Sequence, residues 1–253
     1  MPYSLKHRAI SWVSRTLFDH VSYTVHNGLN KGLKRKGGLG WLPFEQTSPE
    51  IEFWKSLDLR GKVVYDIGAF HGLLTIYFAR QAKQVVAWEP TSYNRRRLEE
   101  NVSLNRFQNV VVRPYALGSA PATVEVSFDE SAPGTASADG GLKHGSRSEM
   151  IEVRTLDSEA GLPTPDFIKI DTEGFELEVL IGARQMLAAK PELFLEMHGK
   201  DRTDKERRVH EIVQFILSLG YQGIHHIETG VRIDTHNSNV AAEGHLHITH
   251  EAR

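Results

Sequence analysis

From Lys62 onward, short apolar runs alternate with longer segments whose apolar residues recur at helical spacing. "KVVYDIG" reads as a strand and "LLTIYFARQA" as the helix after it. "QVVAWEP" is a second strand, "TSYNRRRLEENVSLN" its helix, and "NVVVRPYAL" a third strand. Strand and helix alternating in this way predict crossover units and a mostly parallel sheet. After "YALGSA" the alternation stops, and "ATVEVSFD" and "MIEVRTLD" take the period-two pattern of strands. Between them residues 131–148, "SAPGTASADGGLKHGSRS", hold almost nothing to bury, which predicts either a lid over a site or a surface insertion. "PDFIKID" then reads as a buried strand. "FELEVLIGARQML" reads as a helix with Leu177, Leu180, Ile181 and Ala183 inward. "PELFLEMHG" is a strand, "KERRVHEIVQFILSLG" a helix, and the tail ends in short strands. The fold class expected is α/β, a doubly wound, mostly parallel sheet with helices on both faces.

The first fifty residues do not share the pattern. Ile10, Val13, Leu17 and Val21 recur at helical spacing and predict an amphipathic helix. Up to Gly38 there are seven Lys or Arg and one acid, Asp19. A basic segment of this kind can bind an anionic membrane surface or a partner, but a helix packed on the main domain with a solvated basic face is the favoured reading. "TSPEIEFWKSL" begins as a helix, with Ser48 as cap and Pro49 in its first turn. The expected organisation is an extension over 1–50 and a main domain over 51–253.

Composition narrows the partners. The 253 residues hold 30 basic and 32 acidic side chains, a formal charge of −2, which argues against a dedicated nucleic-acid binder. Cysteine is absent, excluding disulfides, thiolate catalysis and cysteine-ligated zinc. No apolar run reaches the length of a membrane span, and the charged N-terminus lacks a signal-peptide core, so the cytoplasm is the expected location. Thirteen histidines make the pair in "GHLHITH" an expected chance. His245 and His247 can bind a metal, but a solvated strand face is the favoured reading. Oligomeric state stays open, a homo-oligomer included.

Candidate chemistry gathers at the turn "VVYDIGAFHG". Glycines at the C-terminal end of the first parallel strand let backbone N–H groups approach a ligand. The dinucleotide fingerprint needs a third glycine, and a carboxylate, Asp66, stands just before Gly68 and Gly72. A carboxylate repels a pyrophosphate but suits an ammonium or sulfonium group, which points to S-adenosylmethionine. Glu89 closes the second strand 23 positions later, placed to accept hydrogen bonds from ribose hydroxyls. The competing reading is a glycine turn built only for helix–strand packing.

With these residues in hand, the chain resembles the FkbM-type S-adenosylmethionine-dependent methyltransferases. "VYDIGAFHGLLT", "WEPTSYNRRRLEENVSLN" and "FIKIDTEGFELEVLIGA" carry the resemblance, which runs from about Lys62 to Gly199. "TLD" at Thr155 to Asp157, the paired asparagines Asn101 and Asn105 and the closing "LEMHG" also fit. The resemblance implies a cofactor set of Asp66, Gly68, Ala69, Gly72, Thr75, Glu89, Pro90 and Asp171. The family often carries Asn where Phe70 stands. No acid follows the third strand, so adenine is held by backbone near Tyr115 and Ala116 or by stacking.

The resemblance also implies a small-molecule or glycan acceptor, methylated on a hydroxyl. An alcohol is a poor nucleophile at neutral pH and needs a base or a metal. The strand ends offer Asp171 and Glu173, then Glu196 and His198. Either His198 or Asp171 takes the hydroxyl proton, or Asp171 and Glu196 hold a cation such as Mg2+. Base catalysis is slightly favoured. For Glu173, capping the following helix is as good a reading as catalysis. N-methylation and a silent cofactor-binding module are the alternatives. An oxidoreductase lacks its glycine and its catalytic constellation.

Overall fold

The computed structural model describes residues 20–38, 47–128 and 147–251. Most of the helix expected around Ile10 to Val21 and most of the 131–148 stretch lie outside them. The described chain opens on a hairpin of β1 (Ser22–Thr24) and β2 (Lys34–Lys36). Helix α1 (Pro49–Ser56) follows, with Ser48 accepting from the Ile51 N–H as its cap. Then come β3 (Val63–Ile67), α2 (Leu73–Ala79), β4 (Gln84–Trp88), α3 (Ser92–Leu104) and β5 (Val110–Arg113). These are the crossover units read from the alternation.

The third predicted strand does not continue through Pro114. β5 ends at Arg113, and proline has no N–H to donate to a ladder. Its second half, β6 (Ala116–Leu117), joins β7 (Ala122–Phe128) and β8 (Arg147–Arg154) in a separate three-stranded sheet, ordered β6-β8-β7. The chain returns through β9 (Phe167–Ile170), α4 (Glu176–Ile181), β10 (Glu192–Glu196), α5 (Arg202–Ser218), β11 (Gly223–His226) and β12 (His245–Thr249). The main sheet runs β11-β12-β10-β9-β3-β4-β5, parallel from β10 to β5 and antiparallel at the β11–β12 edge.

Alternate residues of each strand feed two cores. Val63, Tyr65 and Ile67 of β3 face α4 and α5, against Val179, Leu180, Val209 and Ile212. Val64 faces α1 and α2, against Trp54 and Phe78. Strand order reverses beside β3: β4 and β5 lie on one side, β9 and β10 on the other. That reversal opens a crevice at the strands' C-terminal ends, where ligands bind in such sheets.

Two expected elements are corrected. The helix predicted through Leu187 stops at Ile181, and its C-cap Gly182 packs so close to the Gly118 carbonyl, just past β6, that a Cβ there would clash. Val179 faces inward, while Ile181 is 40% exposed. A 3-10 turn at Met186–Ala189 completes the segment, its Gln185 and Met186 N–H groups donating to Asp157 at 2.9 Å each. Asp157 of "TLD" is thus a cap, not part of a strand. The histidine tail is not a solvated face either. β12 lies between β10 and β11, His245 Nδ1 is 2.5 Å from Glu228 Oε1, and His247 Nε2 is 2.6 Å from Glu192 Oε1.

The hairpin packs on the main domain. Lys34 and Lys36 N–H groups donate to the side chains of Asn105 and Asn101 on α3, at 2.8 Å each. Among the described residues no helix is long and apolar enough to cross a membrane.

Candidate active site

The turn after β3 is shaped first by packing. Gly68 N–H and Ala69 N–H both donate to the Trp88 carbonyl at the end of β4, at 3.0 and 2.9 Å. A Cβ at Gly68 would run into the Asp171 carbonyl after β9, so glycine lets the two central strand ends close on each other. A Cβ at Gly72 would strike Leu98 of α3. Gly72 therefore serves helix packing, and of the two glycines only Gly68 reaches the crevice.

Asp66 does not reach it. Its side chain shares the β3 face that looks toward α2, where it is fully buried. Thr75 Oγ1 donates to Asp66 Oδ2 at 2.5 Å, and Lys169 Nζ of β9 lies 3.4 Å from Oδ1. Lys169 also donates to the Gly68 carbonyl at 2.7 Å and sits 3.0 Å from Asp171 Oδ2. Burial alone would lower the lysine pKa, but Asp171 and Asp66 override it and hold it above the ordinary value. Asp66, Thr75 and Lys169 are a buried brace beneath the turn. Ala69 is buried against Ala87 and Leu98.

Above the brace lies a cavity of about 270 Å³. Gly68, Glu89, Pro90, Tyr115, Ala116 and Asp171 of the expected cofactor set border it. Glu89 is held hard: its Oε1 accepts from Thr91 N–H and Oγ1, at 3.0 and 2.6 Å, and its Oε2 from the Phe70 N–H at 2.9 Å. Burial pushes the Glu89 pKa up, and these donors oppose it. Oε2 keeps acceptor capacity for one further donor. Two more buried groups on the wall, Trp88 Nε1 and Asn94 Oδ1, have no hydrogen-bond partner within the protein. Unsatisfied polar atoms around a cavity fit a ligand that carries both hydroxyl donors and ring acceptors, as a nucleoside does.

The roof is apolar: Val124, Val126, Ile151 and Val153 of β7 and β8. The three-stranded sheet therefore closes the cavity from above. Tyr115 is fixed by donating from its hydroxyl to Glu159 Oε1 at 2.6 Å, with Arg154 4.0 Å over its ring.

At the β9 end of the cavity four carboxylates surround one histidine. His198 Nδ1 lies 3.0 Å from Glu176 Oε1, and its Nε2 faces Glu196 at 3.5 Å, Glu173 at 3.7 Å and Asp171 at 3.9 Å. Burial lowers the His198 pKa, but Glu176 and the other acids outweigh it and raise it to about 9. A pKa raised in this way favours the imidazolium at neutral pH, which argues for a carboxylate over His198 as the base. Glu173 stands in the left-handed region at φ 53° and borders the cavity. Burial among Asp171, Glu196 and Glu176 raises its pKa to about 7, against the pull of His198. It does not cap α4.

Glu176 is the organising residue that the sequence reading missed. Buried, it accepts from the Thr172 and Gly174 N–H groups at 3.2 and 2.9 Å as well as meeting His198. It thus shapes the loop that carries Asp171 and Glu173. Its signal was present, as the last acid of "IKIDTEGFE". Asp171, Glu196 and His198 can each offer one ligand atom within 4.8 Å of the others.

The fold, a mostly parallel sheet with helices on both faces, is the one expected of a class I methyltransferase. Residues 66–222 match the Methyltransferase FkbM domain, and the chain belongs to that family. It is 29% identical over 181 residues, 63% of this chain and 72% of the relative, to the hexuronic acid methyltransferase AglP of Haloferax volcanii. Among solved structures it is similar to Methyltransferase FkbM from Methylobacillus flagellatus KT, at 22% identity and TM-score 0.49, covering 79% of this chain. The chain spans 50% of that structure's length. M. jannaschii TYW2, solved with AdoMet, is similar at 16% identity and TM-score 0.44, over 86% of this chain and 80% of that one.

Proposed function

We propose that the protein transfers the methyl group of S-adenosylmethionine to a hydroxyl oxygen of a sugar acceptor, with Glu173 as general base. The observation that carries this reading is Glu173 itself. It is a carboxylate at the cavity whose pKa, raised to about 7, suits taking a proton at neutral pH. The acceptor oxygen attacks the sulfonium methyl, its proton passes to Glu173, and S-adenosylhomocysteine leaves. Positioning does much of the rest, because a sulfonium methyl needs only an aligned lone pair. Glu89 is the residue proposed to take the ribose hydroxyls, and Trp88 and Asn94 have unmatched polar atoms for the same nucleoside. Asp66, Thr75 and Lys169 act through the turn they brace.

The hexuronic acid named for the archaeal relative brings a sugar acid to mind as the acceptor class. Asp171, Glu173, Glu176 and Glu196 surround the transfer end, so a second anionic group is disfavoured there. We therefore infer an ether product from a hydroxyl, not an ester from a carboxylate.

A second reading is favoured by one grouping: the carboxylates of Asp171 and Glu196 and the imidazole of His198. These would hold a divalent cation, Mn2+ fitting the mixed oxygen and nitrogen set at least as well as Mg2+. A cation there would lower the pKa of an acceptor hydroxyl.

Calorimetric titration with S-adenosylmethionine and S-adenosylhomocysteine, followed by transfer of labelled methyl to neutral sugars and uronic acids, tests the proposal. Micromolar binding and an alkali-stable product are expected. Turnover that survives EDTA favours Glu173, and turnover restored only by a cation favours the second reading. Absence of cofactor binding would sink both.

A further inference from the structure

The turn that floors the cavity is fastened from outside as well as from within. Gly68, Phe70 and Gly72 all have positive φ, at 77°, 51° and 76°. For phenylalanine the left-handed conformation costs roughly 1–2 kcal/mol. A residue held this way persists only where its surroundings over-determine it. On the cavity side Glu89 accepts the Phe70 N–H. On the other side Asn101 Nδ2 donates to the His71 carbonyl at 2.8 Å.

Asn101 is fully buried, and its Oδ1 accepts from the Lys36 N–H of β2 at 2.8 Å. One amide therefore spans from the hairpin to the residue after Phe70. The hairpin grips a second time, where Asn30 Nδ2 donates to the Leu73 carbonyl at 3.0 Å. Both neighbours of Gly72 are thus tied to the hairpin. Asn105 makes a useful contrast: it bonds Lys34 N, Lys34 O and Asn101 O and does not touch the turn.

We propose that the β1–β2 hairpin is a positioning element of the cofactor site, acting through Asn101 on the His71 carbonyl to keep Phe70 left-handed. Neither Asn101 nor the hairpin borders the cavity, so their effect on the cofactor is transmitted through the turn. The inference rests on the cavity holding S-adenosylmethionine. If Asn101 only anchored the hairpin to α3, its loss would resemble the loss of Asn105.

The test is calorimetric titration of the full chain with S-adenosylmethionine, comparing Asn101→Asp, Asn30→Ala and Asn105→Ala. Asn101→Asp keeps the acceptor for Lys36 but sets a carboxylate oxygen against the His71 carbonyl. Losing a buried donor in this way should weaken binding about 10-fold, against about 3-fold for Asn30→Ala and under about 2-fold for Asn105→Ala. Asparagine takes the left-handed region more readily than phenylalanine. In a Phe70→Asn background the Asn101→Asp penalty should therefore shrink to about 3-fold or less. Equal loss of Tm in Asn101→Asp and Asn105→Ala with wild-type affinity in both would overturn the inference. So would a penalty that Phe70→Asn leaves unchanged. Should Asn101→Asp fail to fold, Asn30→Ala against Asn105→Ala decides by the same criterion. A wild-type protein that does not bind S-adenosylmethionine removes the cavity reading and this inference together.

Discussion

Glu173 and His198 lie 3.7 Å apart, and each sets the other's charge. Burial and three neighbouring acids raise Glu173, and the imidazolium restrains that rise. A base must be unprotonated to act, so kcat/KM should climb as pH rises through about 7. Glu173→Gln should lower kcat by about 10²- to 10⁴-fold, the usual contribution of a general base, with S-adenosylmethionine affinity nearly unchanged. His198→Gln removes a positive charge and should move the rising limb to higher pH, whereas Glu196→Gln removes a negative one and should move it lower. Rate profiles on EDTA-treated protein check all three. A limb that stays put in both neighbour variants would exclude Glu173 as the group being titrated.

Elements were legible where one physical signal dominated. β3, β4 and β9 are short apolar runs buried on both faces, and α3 and α5 carry long amphipathic patterns, so their existence followed from periodicity. The second sheet was not legible, because its pairing brings Ala116 beside Val153 across a long sequence gap that no local pattern encodes. The need for glycine at the end of α4 was hidden for the same reason: the atom that forbids a side chain at Gly182 belongs to Gly118, far away in sequence. Of the residues that border the cavity, Gly68, Glu89, Asp171 and Glu173 were expected from strand ends and spacing. Asp66 was misread because a carboxylate beside a glycine turn looks alike whether it meets a ligand or Lys169. The Gly182–Gly118 contact can be tested directly. Gly182→Ala should overpack it and cost about 1–3 kcal/mol, read as a lower urea midpoint with an unchanged slope. An unchanged midpoint would mean that the end of α4 and the turn after β6 are not in firm contact there.

At the scale of the whole molecule, the cavity joins the two sheets, so a ligand filling it should stabilise both. At 100 times its Kd, S-adenosylmethionine would add about 2.7 kcal/mol, which is roughly 5–11 °C in Tm for a chain of this size. Protonation acts on the same region without a ligand. His198 and His245 both have pKa values raised to about 9: burial opposes the charged form, and the acids Glu176 for the first and Glu196 and Glu228 for the second prevail. A raised pKa means that the folded state binds the proton more tightly than the unfolded chain. That stability is complete below the ordinary histidine value of about 6.5 and fades as pH rises through about 9. Glu173, raised to about 7, adds a fade in the same direction at lower pH. Glu176, Glu196 and Glu228 are lowered, since their histidine partners outweigh burial, so their contribution is lost instead as pH falls below the ordinary carboxylate range. Tm should therefore be highest near neutrality and fall steadily toward pH 9.5. His245→Gln removes the histidine farther from the transfer end and should flatten the alkaline fall while lowering Tm at neutral pH. A wild-type Tm that stays level across the alkaline range would mean that these histidines are not held as cations by the fold.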